Sequence, residues 1–126
     1  MIAVDTSALM AIVLDEAEAD ACIAALSAED DLLISAGTMA EALIVSARRN
    51  VGEEIAHLID GLGFEIVSVT SASARLIAEA YERRGKGAHP AALNFGDCFA
   101  YEVAKEHGCR LFAGGDFTQT DVESDL

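Results

Sequence analysis

The feature that most constrains this chain is its alternation of single short apolar runs with longer stretches of helical spacing. "MIAV" at the start, "LLIS" (Leu32–Ser35), "FEIVSV" (Phe64–Val69) and "CRLFAG" (Cys109–Gly114) are apolar, partly β-branched runs, each bounded by polar or glycine residues. Runs of that length and composition suit strands buried on both faces. Strands separated one by one by helices argue for an α/β fold, a parallel sheet with helices on both sides. Four strands are expected, with a weak fifth near Val122.

The helical stretches carry their own start and stop signals. "TSALMAIVLDE" offers Thr6 or Ser7 as a cap, and a second helix is expected over Ala17–Ala28. "TMAEALIVSARRN" offers Thr38 as a cap with Glu41 three residues on, a capping-box spacing, and Asn50 and Gly52 as stops. "EEIAHLIDGLG" is a further helix ended by Gly61 and Gly63. "SASARLIAEAYERRG" is capped by Ser71 or Ser73 and closed by Gly85. "NFGDCFAYEVAKEHG" gives a helix from about Asn94 to Glu106, with Asn94 as its cap and Gly108 after it.

Size and composition narrow the classes. A chain of 126 residues, 52% of them apolar, suits one domain with a real core. No uncharged apolar run is long enough to span a membrane, and the start lacks the basic segment of a secretory signal, so a cytoplasmic protein is expected. Cys22, Cys98 and Cys109 are odd in number without C-x-x-C spacing, and His57, His89 and His107 show no zinc spacing. The formal charge of −14 opposes long-range attraction to nucleic acid. The charge is uneven, however: residues 1–65 hold thirteen acids against Arg48 and Arg49, whereas "ERRGKGAHP" gathers Arg83, Arg84 and Lys86. Those three are either a local basic patch or a solvated helix end.

In an open parallel sheet, sites form beyond the carboxyl ends of the strands. Asp5 follows the first strand and Asp116 the fourth, and these two strands are expected to be neighbours. Glu41 falls in the first turn of the helix after strand two, and Asp97 in the first turn of the helix before strand four. Each acid alone has an ordinary use: a cap for Asp5, a capping box for Glu41, a helix-dipole complement for Asp97, a turn for Asp116. Converging carboxylates either raise their pKa values or hold cations. Oxygen donors without His or Cys suit Mg²⁺ or Mn²⁺, which commonly act on phosphates.

At these residues the chain resembles PIN domains, and most of all the VapC-type ribonuclease toxins of toxin–antitoxin pairs. The resemblance runs along nearly the whole chain: "VDTSALMAIVLDE", "ISAGTMAEALIV", "YERRGKGAHPAALNFGDCFAYEVAKEHG" and "LFAGGDFTQTDV" are similar in order to the family's four motifs. It implies a three-layer α/β/α sandwich spanning 1–126 as a single PIN domain. It also implies Asp5, Glu41, Asp97 and Asp116 as catalytic metal ligands, Thr6 as an assisting hydroxyl, and Mg²⁺ or Mn²⁺ as cofactor. Implied partners are an RNA substrate, a cognate VapB-type antitoxin whose tail covers the site, and a second copy in a homodimer. One departure stands in the fourth motif, where relatives often have two acids before the Phe and this chain has "GGDF", with Gly115 in place of the first. The fourth ligand then comes from Asp116 or Asp121.

The expected reaction is hydrolysis of an RNA phosphodiester, with water attacking phosphorus and the 3′ oxygen leaving. Asp5 and Asp97 are the expected direct ligands, with Glu41 and Asp116 completing the set and Thr6 orienting a ligand or the water. Arg83, Arg84 and Lys86 are the candidate RNA-backbone contacts, with His89 in the same loop. A phosphatase with Asp5 as nucleophile fits less well, because the residue two positions on is Ser7 and not a second acid. The alternative is a catalytically weakened PIN module that acts by protein binding. Candidate dimer faces are the apolar sides of Glu16–Ala28 and Thr38–Ala47.

Overall fold

The structure is a computed structural model and describes residues 1–17, 19–85, 87 and 93–112. Elements follow in the order β1 (Ile2–Val4), α1 (Thr6–Val13), α2 (Ala19–Ser27), β2 (Leu32–Ser35), α3 (Ala36–Arg48), α4 (Gly52–Leu62), β3 (Glu65–Val67), α5 (Ser71–Arg84), α6 (Phe95–His107) and β4 (Arg110–Phe112). The described strands form one parallel sheet in the order β3-β2-β1-β4. β1 is central, with Ile2 opposite Leu32 on one side and Arg110 on the other. The first and fourth strands are therefore neighbours, as the sequence predicts. The suggested last strand near Val122 lies outside the described residues.

Side-chain alternation builds two cores from one sheet. Ile2, Val4, Leu32, Ile34 and Phe112 face one layer, packed with Leu9 of α1, Leu26 of α2 and Ile55 of α4. Ala3, Leu33 and Leu111 face the other, packed with Cys98, Ala100 and Val103 of α6 and Ile77 of α5. A strand buried on both faces must be apolar at every position, which is why "IAV" and "LLIS" show no polar alternation. Each fully buried Leu or Ile contributes about 1.5–3 kcal/mol of transfer free energy. At the sheet edge away from the site, Arg110 pairs with Glu29 at 2.7 Å.

Several helix starts differ from the sequence reading. α1 is capped by Asp5, whose carboxylate accepts from the Ser7 N–H, and not by Thr6 or Ser7. α3 is capped by Ser35, which accepts from the Gly37 N–H, so Thr38 lies inside the helix and is fully buried. Glu41 is consequently in the second turn and makes no capping box. α5 is capped by Thr70, one residue ahead of Ser71, in a box with Ser73. The common cause is that a residue at or shortly after a strand's end (Asp5, Ser35, and Thr70 three residues past Val67) already has the extended backbone and side-chain oxygen a cap needs. At the other ends, Gly52 opens α4 and Gly61 lies within it, while Gly63 and Gly108 end α4 and α6 in the left-handed region. β3 is shorter than Phe64–Val69, and its residues are exposed or half-buried.

Candidate active site

The carboxyl end of β1 delivers Asp5 to the start of α1. Its backbone N–H donates to the Phe112 carbonyl at 3.0 Å, tying it to the end of β4. One carboxylate oxygen, Oδ2, accepts from Ser7 N (3.1 Å) and Ser7 Oγ (2.8 Å). The other, Oδ1, is buried and has no hydrogen-bond partner among the described residues. Burial pushes the Asp5 carboxyl above its usual range; the two Ser7 donors and, more weakly, the Thr6 backbone N–H oppose this, and the nearby Glu41 charge adds to it.

Glu41 reaches the same place from α3. The Thr6 hydroxyl donates to its Oε1 at 2.6 Å, a short charge-assisted bond, with the Thr38 carbonyl at 3.4 Å as a second acceptor. The carboxylate lies against the first turn of α6. A methyl group on Gly96 would fall 2.7 Å from Oε1 and nearer still to Oε2. α3 and α6 make a reciprocal contact here, because a methyl group on Gly37 would likewise run into the Phe99 ring.

Asp97 stands in that first turn of α6. Asn94 caps the helix by accepting from Asp97 N at 2.8 Å, and Asp97 Oδ2 accepts in return from Asn94 N at 2.9 Å. This reciprocal box fixes the Asp97 rotamer at the open end of the helix, where the dipole favours an anion. Asp97 is buried, and its charge reaches Cys98, whose thiol is pushed up to about 11, first by burial and second by Asp97. That thiol stays protonated and offers no thiolate ligand.

Asp5, Thr6, Glu41 and Asp97 are thus gathered at the carboxyl ends of β1 and β2 and the amino end of α6. They do not form a tight three-ligand group: among the described residues no three His, Cys, Asp or Glu side chains converge in that way. Asp116, Gly115 and Asp121 lie outside the described residues, as do Lys86 and His89. Arg83 pairs with Glu79 at 2.7 Å on exposed surface, and the Arg84 guanidinium lies 5.9 Å from the Tyr101 ring centroid. The Leu93 N–H donates to the Arg84 carbonyl at 3.0 Å, which brings the end of α5 beside the start of α6. Arg83 and Arg84 share a groove of about 380 Å³ with Glu79, Glu102 and Glu106, so the patch is mixed in sign. Sequence reasoning missed the Ser7 donors and Gly96. It placed Asn94 as the cap of α6 with Asp97 in the first turn, as found, and missed only the return bond from Asn94 N to Asp97.

The donor set fits a hard divalent cation. A buried carboxylate oxygen without a donor is costly unless a proton or cation meets it, and Asp5 Oδ1 is such an oxygen beside a second acid. A PIN-domain family profile matches residues 2–123. The chain belongs to the PIN-domain family. Ribonuclease VapC30 of Mycobacterium tuberculosis is 39% identical over 123 residues, 94% of this chain and 94% of that protein. The crystal structure of Mycobacterium tuberculosis VapC20, described as a sarcin-ricin loop cleaving toxin, superposes with a TM-score of 0.75 at 19% identity, over 98% of this chain and 99% of that one. A toxin–antitoxin complex from Klebsiella pneumoniae contains a chain with a TM-score of 0.71 at 16% identity, over 96% of this chain and 93% of that one. These two structural likenesses establish the fold. Among the described residues of this PIN-domain protein no helix is long and apolar enough to cross a membrane.

Proposed function

We propose that this PIN-domain protein is a VapC-type toxin, an endoribonuclease dependent on Mg²⁺ or Mn²⁺ and silenced by a cognate VapB-type antitoxin. The observation that carries the reading is the unpartnered, buried Asp5 Oδ1 beside Glu41, at the sheet edge that also receives Asp97. Similarity to a named VapC ribonuclease at 39% identity along nearly the whole chain supports the substrate class.

Asp5 and Asp97 hold the ion directly in this reading. Glu41 completes the site, with Asp116 as the fourth acid. The ion supplies charge neutralisation at the phosphate and a lowered pKa for attacking water. The chain's own residues do the rest. Ser7 occupies Asp5 Oδ2 and so leaves Oδ1 as the ligand atom. Thr6 holds Glu41 by its hydroxyl and keeps that carboxylate from turning to solvent. The Asn94 box fixes Asp97. Arg83 and Arg84, at the end of α5, contact the RNA backbone in this reading, together with Lys86, which follows them in the sequence.

A groove of about 320 Å³ opens beside Glu41, lined by Ile44, Val45, Phe95 and Phe99. Ile44 and Phe95 are 56% and 67% exposed, an apolar surface next to an acidic site. We assign it to the antitoxin tail, since a chain seated there reaches Glu41. The homodimer is assigned to exposed apolar residues of α2 and α3, Ile23 and Leu43.

Purified protein incubated with a broad RNA panel and Mg²⁺ tests the reading. Cleavage abolished by EDTA and by Asp97→Asn is the expected result. Intact Mn²⁺ binding with no cleavage of any RNA would replace it with the protein-binding module. Size measurement on dilution tests the dimer.

A further inference from the structure

We propose that Gly96 is a positioning residue for Glu41: its bare α-carbon is the seat that holds the carboxylate where Thr6 donates to it, and a side chain there expels the acid. The inference rests on the reading of Glu41 as part of the ion-binding centre.

The backbone does not ask for glycine at this position. Gly96 is the second residue of α6, and its φ is not in the left-handed region. Alanine is the better helix former, so glycine here weakens the helix locally. The requirement is one of space. A methyl group on Gly96 would lie 2.7 Å from Glu41 Oε1, and closer to Oε2 and Cδ. No other group stands among the three nearest atoms to that methyl position.

The nature of the obstacle separates this glycine from Gly37 across the same helix crossing. A methyl group on Gly37 meets Phe99, a rigid half-buried ring, so relief there requires the helices to move. A methyl group on Gly96 meets the tip of a side chain with three torsions, and relief requires only that Glu41 rotate. Rotation breaks the 2.6 Å bond from Thr6 and takes the acid away from Asp5. The fold survives and the centre is disassembled. The residue after Gly96 is Asp97, so one turn of α6 supplies an acid and the seat for another.

The test uses Gly96→Ala in the full chain, with the Glu41 side-chain ¹³C resonance, thermal melting and Mn²⁺ calorimetry as readouts. The variant is expected to melt within about 4 °C of the wild type without metal. Its Glu41 ¹³Cδ resonance should move, and its Mn²⁺ dissociation constant should rise about tenfold or more. In a Glu41→Asp background, where the shorter acid leaves room, the same change should cost about threefold or less. An unmoved Glu41 resonance with wild-type Mn²⁺ affinity would overturn the proposal, as would an equal loss in the Asp background. If wild-type protein binds no Mn²⁺, the ion-binding reading fails, while the Glu41 resonance still decides whether Gly96 seats the carboxylate. If Gly96→Ala does not fold, Gly96→Ala with Glu41→Ala decides: folding of the double variant identifies the carboxylate as the obstacle, and failure of both rejects it.

Discussion

Among the described residues, Asp5 and Glu102 are both buried carboxylates with one oxygen that finds no donor and a pKa raised first by burial, yet their neighbours differ: Asp5 meets hydrogen-bond donors and Glu102 a second acid. Asp5 lies at a helix start, and its second oxygen takes both donors of Ser7. Those donors favour the anion and oppose the burial that raises its pKa. Glu102 lies late in α6 and faces Glu106. Its pKa is raised to about 7, first by burial, then by a hydrogen bond with Glu106 and by that neighbour's charge. An unpartnered oxygen therefore does not define a cation site by itself. What defines one is whether the other oxygen is tied by donors that stabilise the charge or is set to share a proton with a second acid.

The largest effect should come from Asp5, the acid whose second oxygen is tied by donors. Asp5→Asn removes the anion but keeps a side chain that caps helices well. RNA cleavage should fall about 100-fold or more, since several kcal/mol of transition-state stabilisation depends on the ion. Metal-free melting should not fall, and it should rise if desolvation outweighs the Ser7 bonds, as the raised pKa indicates. Calorimetric loss of Mn²⁺ binding together with a melting temperature that is unchanged or raised is the expected pair of results. A large drop in stability would mean that Asp5 is structural.

Glu102→Gln should do the reverse and leave Mn²⁺ affinity alone. The folded pKa lies above the unfolded value near 4.5, so the folded state holds the proton more tightly. The stability this confers is full below pH 4.5 and is lost as pH rises through 7. The variant should therefore be more stable than wild type at pH 8, by about 1–3 kcal/mol, with the gain shrinking toward pH 5. Urea melts at the two pH values measure it. A gain independent of pH would remove the contrast with Asp5.

Thr6→Val tests the hydroxyl that serves Glu41. A hydrogen bond to a charged group is worth about 1.5–3 kcal/mol, so stability should fall by that order and cleavage by about tenfold. The smallest effect is expected at Arg83. Its pair with Glu79 is exposed on both sides, and Arg83→Ala should change stability by about 0.5 kcal/mol or less. A contact to the RNA backbone would show instead as a weaker salt dependence of RNA binding in that variant.

Layer order was legible in the sequence because strands buried on both faces leave apolar runs, and "LLIS" coincides with β2. Neighbouring β1 and β4 followed from the acids at their ends. Cap positions were less legible. Asp5, Ser35 and Thr70 each sit where a strand or its exit hands over to a helix, and a strand reading claims the same residues. Thr38 and Glu41 had the spacing of a capping box by coincidence, one turn too late. Asp5, Glu41 and Asp97 were legible as site candidates because acids are rare inside apolar runs. Gly96 was not, since glycine beside an acid reads as an ordinary helix start, and only the approach of α3 shows what its missing side chain leaves room for.

The position of β1 sets the order in which the chain can be completed during synthesis. β1 precedes the other described strands in the chain and stands in the middle of the sheet, but its partner β4 follows more than a hundred residues later. Until Phe112 leaves the ribosome, the Asp5 N–H has no carbonyl to meet and Leu111 cannot fill its place in the second core. Pairings so distant along the chain form late and slowly. The proposed RNA-cutting centre therefore cannot be completed until β4 has been made, so a chain that stops short of Phe112 lacks the strand to which Asp5 is tied.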